Sequence, residues 1–234
     1  MLFRSGAALG FDETAQGNIA DAVGPVVGDV AFVGALASEG AVGDGDVFEE
    51  GIDTTPEYTR WGWWAGEVAV DTYDDETETA RTSYARLQLG SWVSGVRADA
   101  AEVLNAKGSA TYDGLAVGHV IEQTATGPAV YVDGGRFRME YRFEDREGDV
   151  TISDIIGQTV TGTVRPGEDG HQYRGDLGNA GGAEGAIAGD FYRGPDALPK
   201  GAQPQGTGGR FGFAATAESG RPASVSGVFA ADKK

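Results

Sequence analysis

Apolar and polar residues alternate through much of the second half of the chain. In "AVYVDGGRFRMEYRFE", Phe137, Met139, Tyr141 and Phe143 alternate with Arg136, Arg138, Glu140 and Arg142. A period of two with one dry and one wet face predicts a half-buried β-strand. Similar runs precede and follow it: "GSATYDGLAVGHVI", then "VTISDII" after the turn "EDREGD", then "GQTVTGTV", "HQYRGDLG", "GAIAGDFYRG", "TGGRFGFAATA" and "ASVSGVFAA". These predict eight strands in the region from Lys107 to Lys234, with no helix inserted between them.

The stretch "EGAIAGDFYRGPDALPKG" shows what kind of sheet is expected. Its Gly and Pro content disfavours a helix. The glycines are not framed as a phosphate-binding loop, and no Gly-Lys-Ser/Thr follows. As a strand it places Gly185, Ile187, Gly189 and Phe191 on one face. Gly209/Phe211/Phe213 and Val225/Gly227/Phe229 repeat the arrangement. Large rings beside glycines fit a narrow interior, and glycine also permits the bending that closure requires. The expected fold is therefore all-β: an eight-stranded antiparallel up-and-down β-barrel, closed so that sheet edges are removed. A β-sandwich would give a similar alternation.

The first half reads differently. Residues 1–56 are rich in Ala, Gly and acids, with short apolar pieces broken by Gly24-Pro25 and Gly28, and are expected to be a loosely structured tail or linker. "MLFRS" is what GTG-CTC-TTC-CGA-TCT encodes, the end of a sequencing adapter, so native sequence is expected from Gly6 and residues 1–5 are read as an artefact. A membrane anchor, if the parent protein has one, is expected in an N-terminal part absent here. Residues 57–106 hold two candidate strands, Tyr58–Val70 and Ser83–Ala98, around the acidic loop "DTYDDETETA". All four tryptophans, Trp61, Trp63, Trp64 and Trp92, lie in them. They could form an aromatic platform for sugar, peptide or haem; the favoured reading is a Trp-rich hairpin covering one end of the barrel at 107–234.

Composition narrows the function classes. The net charge is −18, with 18 acids and 5 bases in residues 1–100. No basic footprint for nucleic acid is present. Acidity of this kind fits solubility or a saline habitat, and leaves a basic partner as an option. The chain has no cysteine, which removes thiol catalysis, disulfides and thiolate metal sites. No apolar run is long enough for a transmembrane helix.

Candidate chemistry is sparse. The histidines are His119, near the end of the first barrel strand, and His171, after "RPGEDG"; neither has the local spacing of a metal pair or a triad. "DGDVFEEG" does not match a calcium loop. Most carboxylates lie in turn-like clusters, so an enzyme is not expected, and no cofactor, metal site or catalytic residue is assigned. Arg136, Arg138, Arg142 and Arg146 are interleaved with Glu140 and Glu144, and cross-strand charge pairing is expected there.

Three stretches together resemble the β-barrel domain of the transferrin-binding protein B family, surface lipoproteins of Gram-negative bacteria: "KGSATYDGLAVGHV", "GAIAGDFYRGPDA" and "ASVSGVFAADKK". The likeness covers roughly Lys107–Lys234. It departs from the family where Arg193 interrupts Phe-Tyr-Gly, and where one barrel stands in place of two lobes. The resemblance implies a cell-surface, outer-membrane or secreted binding module, with a partner protein or a haem or other iron source as ligand. The other reading is a structural or adhesive module with no discrete ligand. Ligand-binding residues are not assigned; the candidate loops are "EQTATGP", "EDREGD", "RPGEDG" and "PDALPKGAQPQG".

Overall fold

The computed structural model describes residues 30–33, 52, 55–74, 79–167, 170 and 172–234, with no side chains described for 30–33 or 63–90. The chain divides into two compact units, Met1–Asp44 with Gly62–Gly90 and Gly45–Trp61 with Ser91–Lys234.

In the first unit, β1 (Val30–Val33) pairs antiparallel with β2 (Thr59–Asp74), Val30 opposite Val70 and Val33 opposite Glu67. This short strand lies in the stretch read from sequence as a tail; most of that stretch falls outside the described residues. β2 neighbours β3 (Thr79–Arg97), so both Trp-rich segments are strands, each reaching into the acidic loop between them.

The second unit is the barrel. Its strands are β4 (Ser109–Thr124), β5 (Gly127–Arg142), β6 (Glu147–Ile155), β7 (Gln158–Pro166), β8 (Gln172–Gly178), β9 (Glu184–Arg193), β10 (Gly206–Thr216) and β11 (Pro222–Lys233). Each pairs antiparallel with the next, and β11 returns to β4 to close an up-and-down barrel. The alternation in the sequence is the cause: inward residues from every strand form one apolar core.

That interior is filled by rings and held open by glycines. Phe137 stacks on Phe229 at 4.2 Å between centroids, and Phe191 meets Tyr112, Tyr141, Phe143 and Tyr173. A Cβ on Gly189 would stand 2.7 Å from the Tyr173 hydroxyl and 2.8 Å from Phe229, so no other residue fits there without displacing a ring. Tyr173 shares a 2.6 Å hydrogen bond with Thr207, and Tyr112 donates to the Pro204 carbonyl at 3.0 Å, which satisfies both buried hydroxyls.

One end of the barrel is plugged. The helix α1 (Ala100–Asn105) precedes β4 and was not foreseen from sequence. Glu102 reaches back to the Asp99 amide at 2.7 Å, a capping contact that starts the helix, and buries Val103 and Ala106 in the barrel core. The same carboxylate accepts the Leu198 amide at 2.7 Å and lies 3.3 Å from Arg193. The residue that breaks the family pattern thus fastens α1 and the β9–β10 connection to β9.

A second apolar layer lies outside the wall. Leu115, Val117, Val228 and Ala230 face outward yet are buried, as is Trp61. Tyr58 and Val93 approach the outward positions of Gly206 and Gly208, and Val96 and Arg97 of β3 pair with Arg193 and Tyr192 of β9. Residues Tyr58, Val93, Val96 and Arg97, which belong to the same unit as the barrel, therefore lie against its outer wall. Trp92 is half-buried. The side chains of Trp63 and Trp64 lie outside the described residues.

Candidate functional site: the open mouth of the barrel

Strand alternation sorts the connections onto two ends. The described parts of "EDREGD", "RPGEDG" and "PDALPKGAQPQG" lie at the plugged end. "EQTATGP" lies at the other, with the β6–β7, β8–β9 and β10–β11 turns. At this mouth a cleft of about 380 Å³ is lined by Glu122, Tyr131, Asp133, Asp154, Glu218 and Ser219, among others.

Two inward-pointing acids organise the cleft. Glu122, buried on β4, accepts hydrogen bonds from the Tyr131 hydroxyl at 2.9 Å, Ser219 Oγ at 2.8 Å and Arg221 at 3.4 Å. The Ser219 and Tyr131 bonds hold its carboxyl below the usual carboxylate range. Burial, reinforced by Glu122, pushes the Tyr131 phenol up to about 12. Asp133 accepts the Gly134 amide at 2.9 Å through Oδ1 and the Ile156 amide at 2.6 Å through Oδ2. Burial raises its carboxyl above the ordinary value, against those two bonds.

These contacts hold a strained turn. Asp154 and Ile156 have φ of 73° and 52°, and a β-branched residue in the left-handed region is costly. Ile156 is kept there by Asp133, by the Glu218 amide donating to its carbonyl at 3.0 Å, and by its own buried side chain. All four oxygens of Glu122 and Asp133 are therefore engaged in fixing the β4–β5 hairpin and the β6–β7 and β10–β11 turns. The arrangement provides a fixed, acidic rim, with Asp154 and Glu218 exposed on it.

The mouth also carries an open edge. β4 and β5 are 16-residue strands in register from Ser109–Arg142 to Thr124–Gly127, but β6 pairs with β5 only from Arg136 to Arg142. The hairpin outruns its neighbour, so the Gly127–Gly135 half of β5 has no strand on its far side among the described residues. Ile121 and Val130, opposite each other on this hairpin, are exposed.

The residues singled out from sequence lie elsewhere. His119 points outward from β4, in register with Ser226 and Val132, five residues before the strand ends. His171 lies outside the described residues. Arg136 pairs with Asp113 at 3.3 Å; Arg142 meets Asp145, Glu147 and Asp149, the last at 2.8 Å; Arg165 adds a 2.7 Å pair with Glu147. Arg138 and Arg146 are exposed. Glu122 opens the candidate loop "EQTATGP" but was not singled out, and Asp133 was missed, although both fall on the inward parity of their strands, where a charge breaks the apolar pattern.

No family model and no curated protein matches the chain. Solved structures similar to it include a single-substitution mutant of transferrin-binding protein B from Haemophilus parasuis, at 16% identity and TM-score 0.41, covering 74% of this chain and 35% of that one. A surface lipoprotein matches at 14% identity and TM-score 0.42, over 79% of each chain. The haemoglobin receptor HpuA from Kingella denitrificans matches at 13% identity and TM-score 0.40, over 95% of this chain and 68% of that one. The barrel itself is read from this chain's own strand pairing.

Proposed function

We propose that the chain is a non-enzymatic binding module of a bacterial cell-surface or secreted protein, which captures an iron source or a partner protein at the open mouth of its barrel. The supporting observation is how the mouth spends its acids. Glu122 and Asp133 have every oxygen committed to backbone and side-chain donors that fix the turns, which leaves a rigid rim on which to present a contact surface. The ring-filled interior leaves the ends and outer wall as the surfaces a ligand meets. Asp154 and Glu218 give the rim a negative field that favours a basic contact surface.

The test is surface plasmon resonance with the full chain immobilised and transferrin, haemoglobin and haem as separate analytes, at low and high salt. Saturable binding of one of them is expected, weakened about tenfold or more by the paired substitutions Asp154→Lys and Glu218→Lys. Absence of binding by all three at every salt concentration would overturn this reading in favour of a structural module.

A further inference from the structure

The open edge of β5 has the geometry of a strand acceptor. The register fixes which amides are free. Phe143 N–H donates to the Gly108 carbonyl, in the same register as the β4–β5 ladder, so the odd-numbered residues of β5 bond to β4. Gly127, Ala129, Tyr131 and Asp133 therefore face β4, whereas Val130 and Val132 turn N–H and C=O to the open side. Pro128 offers only a carbonyl there, and the Gly134 amide is taken by Asp133 Oδ1. Among the described residues, the free donors and acceptors thus centre on Val130 and Val132.

We propose that this edge docks an extended segment of a basic partner by β-strand addition, with valine-like residues alternating with lysine or arginine. The inference rests on the reading of the chain as a binding module. The two faces of the hairpin dictate the alternation. An added strand would set one row of side chains beside Val130 and Val132 on the outer face, and the other row beside Tyr131, Asp133 and Asp154 at the acidic cleft. Charge selects the occupant. A second copy pairing edge to edge would bring two acidic mouths together, in a chain of net charge −18, whereas a basic strand is attracted. Pro128 shortens the edge and so limits self-association.

The experiment uses the full chain and a fluorescent synthetic peptide alternating valine and lysine, followed by anisotropy. Saturable binding is expected. Val132→Pro removes a donor that the barrel does not use and should weaken binding about tenfold, the loss of one or two backbone hydrogen bonds. Methylating alternate peptide nitrogens should do the same to unaltered protein, which keeps the test valid if the proline variant fails to fold. A valine–glutamate peptide should not bind. The inference is overturned by failure of the valine–lysine peptide to bind. Equal affinity for methylated and unmethylated peptides would also overturn it, since charge alone would then suffice. Concentration-dependent dimerisation abolished by Val132→Pro would overturn it in favour of a second copy. Capture of transferrin, haemoglobin or haem by a folded Val132→Pro chain, at unchanged affinity, would leave the binding function standing and remove the edge from it.

Discussion

The two ends of the barrel are built from opposite materials. At the plugged end Phe191 sits among Tyr112, Tyr141, Phe143 and Tyr173, and α1 covers them, pinned through Glu102. At the mouth the wall ends in Glu122 and Asp133, two left-handed residues and an unpaired strand edge. Apolar burial with a single pinning carboxylate, Glu102, holds the first end, and hydrogen bonds to Glu122 and Asp133 hold the second. The buried ring cluster stabilises and offers no polar group of its own to a ligand. A mouth fixed by hydrogen bonds tolerates strain and keeps polar groups at the surface, which is where recognition requires them.

The largest expected effect tests the plugged end. Phe191→Ala removes the ring that four others contact and should cost about 3–5 kcal/mol in denaturant unfolding. Val120→Ala, buried toward the mouth, should cost less. Equal costs would mean that the two ends are packed alike.

Alkaline titration compares the ends through their tyrosines. Burial raises both Tyr131 at the mouth and Tyr141 near the plug to about 12. The folded state favours the neutral phenol, so this stabilisation is fully present below the unfolded value of about 10 and is lost as pH rises toward about 12. The thermal midpoint should therefore fall across that window, with phenolate absorbance appearing as the chain unfolds. Glu122→Gln removes a hydrogen bond and a charge that raise Tyr131, so it should lower the mouth tyrosine's step and leave that of Tyr141 in place. Ionisation of all eight tyrosines near pH 10 with the fold intact would break the comparison.

The smallest effect separates stability from binding. Asp154 at the mouth and Arg146 at the plugged end are both exposed, with φ of 73° and 53°. Glycine at either position should stabilise the fold by up to about 1 kcal/mol, because it adopts the left-handed region without steric cost. Only Asp154→Gly should also weaken a basic ligand. If both variants bind as the unaltered chain does, the acidic rim is not the contact surface.

Much of the barrel was legible in the sequence because side-chain parity in a strand is strict. The positions read as inward at Ile187, Phe191, Phe211, Phe213, Val225 and Phe229 are all buried, and each of the eight runs became a strand. The glycine–aromatic alternation also found its reason, since the Phe229 ring lies over Gly209 on the adjoining strand and Gly189 on the one beyond it. The mouth was less legible. Glu122 and Asp133 could have been flagged as charges at inward positions, but their partners Ser219 and Ile156 are 97 and 23 residues away, and no local spacing connects them.

The sequence by itself determined the strands, their dry faces and the need for a narrow ring-filled interior, because these follow from a two-residue period and from side-chain size. Closure, and the departure from it, belonged to the tertiary structure. A long second strand and a short third one were both readable, but which half of the long strand would be left unpaired depended on register. α1 was decided partly in the same way: Asp99 and Glu102 form a local capping pair, but six residues are too few to hold a helix alone, and Glu102 also binds Leu198 and Arg193 from across the fold. Contacts between residues far apart in the chain have no local signature, and only the folded barrel brings them together.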